Sequence, residues 1–261
     1  MIVDSHCHVS TRWYEPVDTL LFEMDRCGVD KAVLIQLLGS FDNSDMADAR
    51  RNHPGRFAFV AALPPEQADA AAVKRAAGEG AAGLRLRASS SSPGEDPDAL
   101  WAAAEEAKLA VSCVGPAESF VDGRIAGFAE SFPGLPIVLE HLGGLARPDV
   151  GDRGAMVDPV LGLAAYPNIF IKMPGLGQLA PRVSLDGEGV PLDLEGVAGL
   201  LESAVAAFGP SRIMWGSDFP PVASREGYGH ALAWPRELLH SLDDEALGAI
   251  FGGTAARIFG L

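Results

Sequence analysis

Near its start the chain reads IVDSHCHVS over residues 2–10, which sets His6 and His8 on either side of Cys7 at the end of a short apolar run. Two imidazoles at that spacing either satisfy hydrogen bonds within a packed loop or converge on an electrophile or a metal ion. Four more apolar runs end in groups that carry chemistry: GLRLR with Arg85 and Arg87, IVLEH with His141, IFIK with Lys172, and MWGSD with Asp218. Each group has an ordinary alternative. The arginines suit buried ion pairs, His141 a bond to a backbone carbonyl, Lys172 a head that snorkels to solvent, and Asp218 a turn before Pro220. Gathered together, they suit a carboxylate that takes a proton from water, imidazoles that polarise a carbonyl, and guanidinium forks that hold an anion.

These segments are far apart in the chain, so the fold must bring them together. Eight short apolar runs recur, at residues 1–6, 31–36, 56–63, 81–87, 109–115, 135–141, 168–174 and 212–218. Between them lie amphipathic stretches such as VDTLLFEMDRCG, DAAAVKRAAGEG, DALWAAAEEAKL and LEGVAGLLESAVAAFG, several ending in Gly as helix C-termini prefer. Eight strand–helix units predict an α/β fold, a (β/α)8 TIM barrel, as one domain over residues 1–261, with a doubly wound open sheet as the alternative.

Strand side chains alternate between faces. On that rule Asp4, His6 and His8 share a face, as do Ile137, Leu139 and His141, and again Met214, Gly216 and Asp218. Leu84 and Leu86 suit the helix side, which turns Arg85 and Arg87 to the axis. Cys113 falls with Val111 on the inward set. All the polar groups then stand at strand C-termini, the end where barrel enzymes carry their sites.

The loops add detail. Arg12, Trp13 and Tyr14 follow the first strand and could frame a substrate. GLGQLAPRVSLDGEGVPLD (175–193) follows strand seven and is long enough to be functional. With residues 219–234 it is expected to set specificity, and His230 there could reach the mouth. His53 and His240 receive no role. GEGAAG (78–83) matches a dinucleotide fingerprint, but it follows a helix and leads into a strand, the reverse of what that motif needs. Ser241 with Asp244 fits a capping box before the last helices.

The net charge is -15, from 35 acidic and 20 basic residues, which disfavours nucleic acid and anionic membrane as partners. It also makes an inward cluster of arginine informative, because the surface does not supply one. Three scattered cysteines without a CxxC motif point to a reducing compartment. The start lacks the basic and apolar regions of a signal peptide, and no stretch approaches the ~18 apolar residues of a membrane span. A cytoplasmic protein acting on a small anionic molecule is expected, with homo-oligomer formation open.

In this order along the chain, the residues resemble those of the amidohydrolase superfamily, and within it the amidohydrolase 2 (amidohydrolase-related) family. H-x-H ends strand one, His ends strand six, and Asp ends strand eight in WGSDFP. VLEHLGG and NIFIKMPGL are similar to the family's strand-six and strand-seven signatures. FGGTAARIFGL is similar to its closing helix, with Thr254 where Asn is usual. The resemblance covers essentially the whole chain.

Metal-dependent members carry a histidine at the end of strand five, where this chain has Cys113, although Zn²⁺ also accepts a thiolate. Arg87 stands where a carboxylatable Lys would end strand four, so a binuclear centre is not expected. The lactonase-like branch, with sugar lactonases and 2-pyrone-4,6-dicarboxylate lactonase, also lacks that histidine and can work without metal. The resemblance therefore implies a hydrolase opening a lactone or similar cyclic ester of a carboxylated substrate. Asp218 is the expected general base. His6, His8 and His141 would activate the carbonyl, either directly or through one Zn²⁺ held by His6, His8 and Asp218. Arg85, Arg87, Lys172 and Arg12 are the expected grip on the carboxylate. The alternative is a metal-dependent non-oxidative decarboxylase of an aromatic or muconate-type acid. A catalytically silent binding barrel is disfavoured by the joint retention of the three histidines and Asp218.

Overall fold

The structure, a computed structural model, describes residues 1–147, 149–183 and 191–261. Eight strands stand side by side in sequence order: β1 (Val3–Cys7), β2 (Lys31–Ile35), β3 (Phe57–Ala61), β4 (Gly83–Leu86), β5 (Ala110–Cys113), β6 (Ile137–Leu139), β7 (Ile169–Pro174) and β8 (Ile213–Gly216). Each pairs in parallel with the next. The seam between β8 and β1 closes just past the strand ends. Cys7 bridges Phe219, the Asp218 N–H donates to the His6 carbonyl at 2.8 Å, and the His8 N–H donates to the Phe219 carbonyl at 2.7 Å. The fold is the expected (β/α)8 barrel, and this seam excludes the open sheet.

Helices fill the connections: α1 (Val17–Cys27), α2 (Ser44–Asn52), α3 (Ala70–Gly78), α4 (Ala99–Glu106), α5 (Ala117–Phe120), α6 (Arg124–Ser131), α7 (Arg153–Gly162), α8 (Val197–Phe208), α9 (Tyr228–Leu238), α10 (Asp244–Gly248) and α11 (Thr254–Phe259). The glycines of 78–83 do run from the end of α3 into β4. The expected capping box does not form. Asp243 caps α10 instead, accepting from the Ala246 N–H at 2.8 Å. Among the described residues no helix is long and apolar enough to cross a membrane.

The strands are short and apolar because both their faces are buried. Val33, Val60, Ala110, Val138, Phe170 and Met214 fill the barrel, and Ala255 and Phe259 of α11 pack with them at the end where the strands begin. Leu84, Val111, Cys113, Ile137, Leu139 and Trp215 face the helices.

This partition corrects the expected inward set in three strands. In β5, Ser112 faces the axis, while Cys113 lies with Val111 in the outer core. In β6, Ile137 and Leu139 are outer and Val138 is inner, so Glu140 follows the inward set and His141 does not. In β1 the register with β2 slips between Asp4, opposite Ala32, and Cys7, opposite Leu34. One extra residue there reverses the parity. Asp4 therefore leaves the histidines' face and accepts backbone N–H bonds from Ser217 at 2.8 Å and His6 at 3.1 Å.

Candidate active site

Departures from strand geometry aim the side chains at the C-terminal mouth. Beyond β6, His141 and Leu142 adopt φ of 52° and 55°, followed by Gly143 and Gly144 at 62° and 80°. Left-handed backbone is costly for residues with a Cβ, and it persists where the surroundings hold it. Here the Leu142 N–H donates to the Lys172 carbonyl at 2.8 Å and the Ala146 N–H to the His141 carbonyl at 3.0 Å. The curl brings His141 into the mouth even though β6 alternation points it elsewhere. Asp218, at φ 61°, turns in a similar way beyond β8, in a conformation that Asp tolerates better than most residues.

The centre of the site is a carboxylate between imidazoles. Asp218 Oδ1 lies 3.8 Å from His6 Nε2 and 3.5 Å from His8 Nε2. The His6 ring centre is 4.9 Å from that of His8 and 5.0 Å from that of His141. His8 Nδ1 donates to the Ile35 carbonyl at 2.7 Å, so a neutral His8 presents a bare Nε2 to Asp218. Asp218 Oδ2 faces the other way and accepts from Gln178 Nε2, and from Arg225 Nη1 at 2.9 Å. The Gln178 amide oxygen takes the His141 Nδ1 hydrogen bond at 3.0 Å. Burial alone would raise the Asp218 pKa, but His8, His141 and Arg225 outweigh it and hold the carboxyl well below the usual range.

Beneath this centre lies a second buried network. Lys172 Nζ stands 3.0 Å from His6 Nδ1 and donates to Ser112 Oγ at 2.9 Å. Ser112 Oγ donates to Glu140 Oε1 at 2.7 Å. Arg85 grips both oxygens of the same carboxylate, Nε at 3.1 Å and Nη2 at 2.7 Å, and its Nη1 donates to the Gln36 carbonyl at 2.9 Å. Burial pushes Glu140 up, but Arg85, Lys172 and His141 bring its pKa down to about 2. Burial also lowers Lys172 to about 8 against the pull of Glu140.

Of the residues expected from sequence, the structure brings His6, His8, His141, Asp218 and Arg85 together. Arg85 forms the buried ion pair that was its alternative. Lys172 joins from below, buried among His6 and Ser112 rather than reaching solvent. Arg87 stays outside, because β4 ends at Leu86 and Arg87 opens a turn in which its N–H donates to Ser90 Oγ at 2.9 Å. Its side chain is exposed and lines a neighbouring cavity. Arg12 is likewise exposed and does not line the mouth. Tyr14, two residues on, does line it and tilts over His8 with ring centres 5.9 Å apart. His230 stacks on Trp234, and its Nδ1 donates to the Glu226 carbonyl at 2.9 Å.

The mouth itself is a cavity of about 480 Å³ walled by Tyr14, Arg85, His141, Arg147, Gln178 and Arg225 over Asp218. Sequence reasoning passed over Glu140, Ser112, Arg147, Gln178 and Arg225. Gln178 and Arg225 do fall in the two loops expected to set specificity. Residues 184–190 of the first loop lie outside the described residues.

His6, His8 and Asp218 offer donor atoms within 4.8 Å of one another, all from buried residues. Among the described residues His6 Nε2 has no hydrogen-bond partner. An orphaned buried nitrogen, a bare imidazole nitrogen and an ionised carboxylate suit one divalent cation. Cys113 does not add to the set. It faces the helices, and burial together with the nearby Glu140 pushes its thiol well up, away from the thiolate a metal needs.

A family model described as Amidohydrolase matches residues 3–261. The chain belongs to the amidohydrolase family. A curated L-fucono-1,5-lactonase from Burkholderia ambifaria is 33% identical to it over 141 residues, 52% of this chain and 45% of that protein. The match therefore spans about half the length of that relative. An amidohydrolase structure from Burkholderia multivorans with bound Zn superposes with a TM-score of 0.80 at 20% identity, covering 100% of this chain and 99% of that one. A Pseudomonas putida structure described as a 2-pyrone-4,6-dicarboxylic acid hydrolase gives 0.77 at 23% identity, with 99% and 97% covered. At these identities the two structures share the fold of this amidohydrolase-family chain.

Proposed function

We propose that the protein hydrolyses a lactone or similar cyclic ester that carries a carboxylate. One observation carries this conclusion. Asp218 presents Oδ1 to His6 and His8 at 3.8 and 3.5 Å, below a cavity whose wall holds Arg147 and Arg225. A carboxylate beside imidazoles suits attack of water on a carbonyl, and a cationic wall in an acidic chain draws an anion to one place. The matched stretch of the L-fucono-1,5-lactonase supports a lactone as substrate; the carboxylate rests on the cationic wall.

Asp218 takes the proton of the attacking water and returns it to the leaving ring oxygen. Its low proton affinity keeps it ionised at neutral pH, and such a positioned group contributes about 10²–10⁴ in rate. When Lys172 donates to Nδ1 of His6, the remaining imidazole proton sits on Nε2, the nitrogen beside Asp218. That N–H is a donor for the oxyanion that develops as water adds. Held instead by His6 Nε2, His8 Nε2 and Asp218, a divalent cation would supply Lewis acidity toward the same carbonyl. Gln178 fixes His141 and Asp218 relative to each other through the two ends of one amide. Among the described residues Arg147 is paired only with the exposed Asp149, at 2.7 Å, an ion pair weak enough for a substrate carboxylate to displace. Arg85 is already committed to Glu140 and acts as a support.

Asp218→Asn, assayed on carboxylated lactones, is expected to lose about 10²–10⁴ in kcat. Near-wild-type ring opening would end the proposal. Release of CO₂ from an aromatic acid, without lactone opening, would assign the site to the decarboxylase class.

A further inference from the structure

A second buried carboxylate stands behind the mouth, and no step of the proposed reaction uses it. The Glu226 side chain is fully buried, and among the described residues neither of its oxygens has a hydrogen-bond partner of good geometry. Such a group is costly unless its surroundings need it. A Cβ added at Gly175 would collide with Glu226 Oε1, and one at Gly177 with Oε2. The carboxylate thus lies in a backbone cradle that only glycine leaves open. On its other side Arg225 Nε approaches Oε2 at 3.5 Å.

The cradle and the arginine carry the two donors to Asp218. Gly175 and Gly177 lead directly into Gln178, whose Nε2 donates to Asp218 Oδ2, and Arg225 Nη1 donates to the same oxygen at 2.9 Å. The Glu226 side chain touches both carriers. We propose that Glu226 is a positioning residue: it holds the Gln178 turn and Arg225 together, keeps both donors on Oδ2, and so leaves Oδ1 to face His6 and His8. Its kinetic consequence rests on the proposed catalytic use of Asp218, whereas its geometric consequence does not.

Two variants perturb the clamp from opposite sides. Glu226→Gln keeps the shape and removes the charge, while Gly175→Ala keeps the charge and fills the cradle on the side away from Arg225. Crystal structures of both are expected to show Arg225 Nη1 beyond hydrogen-bond reach of Asp218. Steady-state kinetics should show kcat down by about 10- to 100-fold, as a displacement near 1 Å costs, with KM moved little. The loss from Glu226→Gln should vanish in an Arg225→Met, Gln178→Ala background, because nothing is then left to position. An unmoved Asp218–Arg225 contact overturns the proposal, as does a full additive loss in that background or a lowered Tm with kcat retained. If Glu226→Gln fails to fold, Gly175→Ala decides by the same contact. A wild-type protein that opened no lactone would remove the proposed function and leave this contact still to be measured.

Discussion

Replacing Glu140 by Gln strikes the network on which the histidine layer rests. The carboxylate accepts three hydrogen bonds, from Arg85 Nε, Arg85 Nη2 and Ser112 Oγ at 3.1, 2.7 and 2.7 Å, and its side chain is fully buried. Its pKa is about 2 where 4.5 is usual, a preference of about 3 kcal/mol for the charged form in the folded state. The amide would direct an NH₂ group at a donor and leave the Arg85 guanidinium buried without its counter-charge. Removing one partner of a buried pair costs about 3–5 kcal/mol, in agreement with the first figure. Because folding lowers this pKa, the stabilisation is complete above pH 4.5 and is lost as pH falls through about 2. Urea unfolding of both proteins at pH 7 should therefore differ by about 3–5 kcal/mol, and the gap should narrow between pH 4.5 and 2. Arg85→Met with Glu140→Leu, which removes both charges, should recover most of the loss. A gap below about 1 kcal/mol at pH 7 for Glu140→Gln would refute the claim that this pair organises the floor of the site.

Other consequences can be measured separately. Arg147→Met should raise KM for carboxylated lactones by about 10-fold or more, the loss of one charge-assisted hydrogen bond, and spare neutral lactones; Arg87→Met should raise neither. Lys172 is held near 8 where 10.5 is usual, so the folded protein releases this proton first. Stability should rise as pH climbs from about 8 to 10.5, and that rise should be absent in Lys172→Met. Calorimetric titration with Zn²⁺ should show one bound ion per chain, lost in His8→Ala; unchanged binding in that variant would remove His6, His8 and Asp218 as its ligands.

The barrel was legible in the sequence because every one of its strands is an apolar run, and parallel strands buried on both faces leave that mark. All eight runs became strands. Strand alternation served β4, β7 and β8 well. Leu84 and Leu86 pack outward beside Arg85, and Lys172 and Met214 sit on the inward faces of β7 and β8. It failed wherever the backbone leaves strand geometry. The slip in β1 separates Asp4 from His6, and a parity count has no place for an extra residue. Cys113 is expected on the axis with Val111, whereas β5 turns both to the helices and Ser112 to the axis. Ser112 and Cys113 are both small, so neither declared its face.

His141 shows the same limit in a more useful way. By alternation Glu140, not His141, points inward from β6, and Glu140 takes that direction to meet Arg85. His141 reaches the mouth only because residues 141–144 run through left-handed backbone, a conformation that the pair Gly143–Gly144 hinted at and His141 and Leu142 concealed. Arg87 is the mirror case: its parity is inward, but the strand stops one residue before it and the side chain goes to solvent. A polar residue at a strand terminus is therefore aimed by the turn that follows as much as by the strand before. Gln178 and Arg225 extend the point, since no strand aims them at all. They lie in loops and meet on Asp218 Oδ2 only after the chain has folded. Arg182 bonds the two loops directly through the Ser224 and Arg225 carbonyls, and Glu226 braces them from within, buried between Gly175, Gly177 and Arg225, so that the residue least visible to sequence patterns is the one whose removal should separate the donors from Asp218.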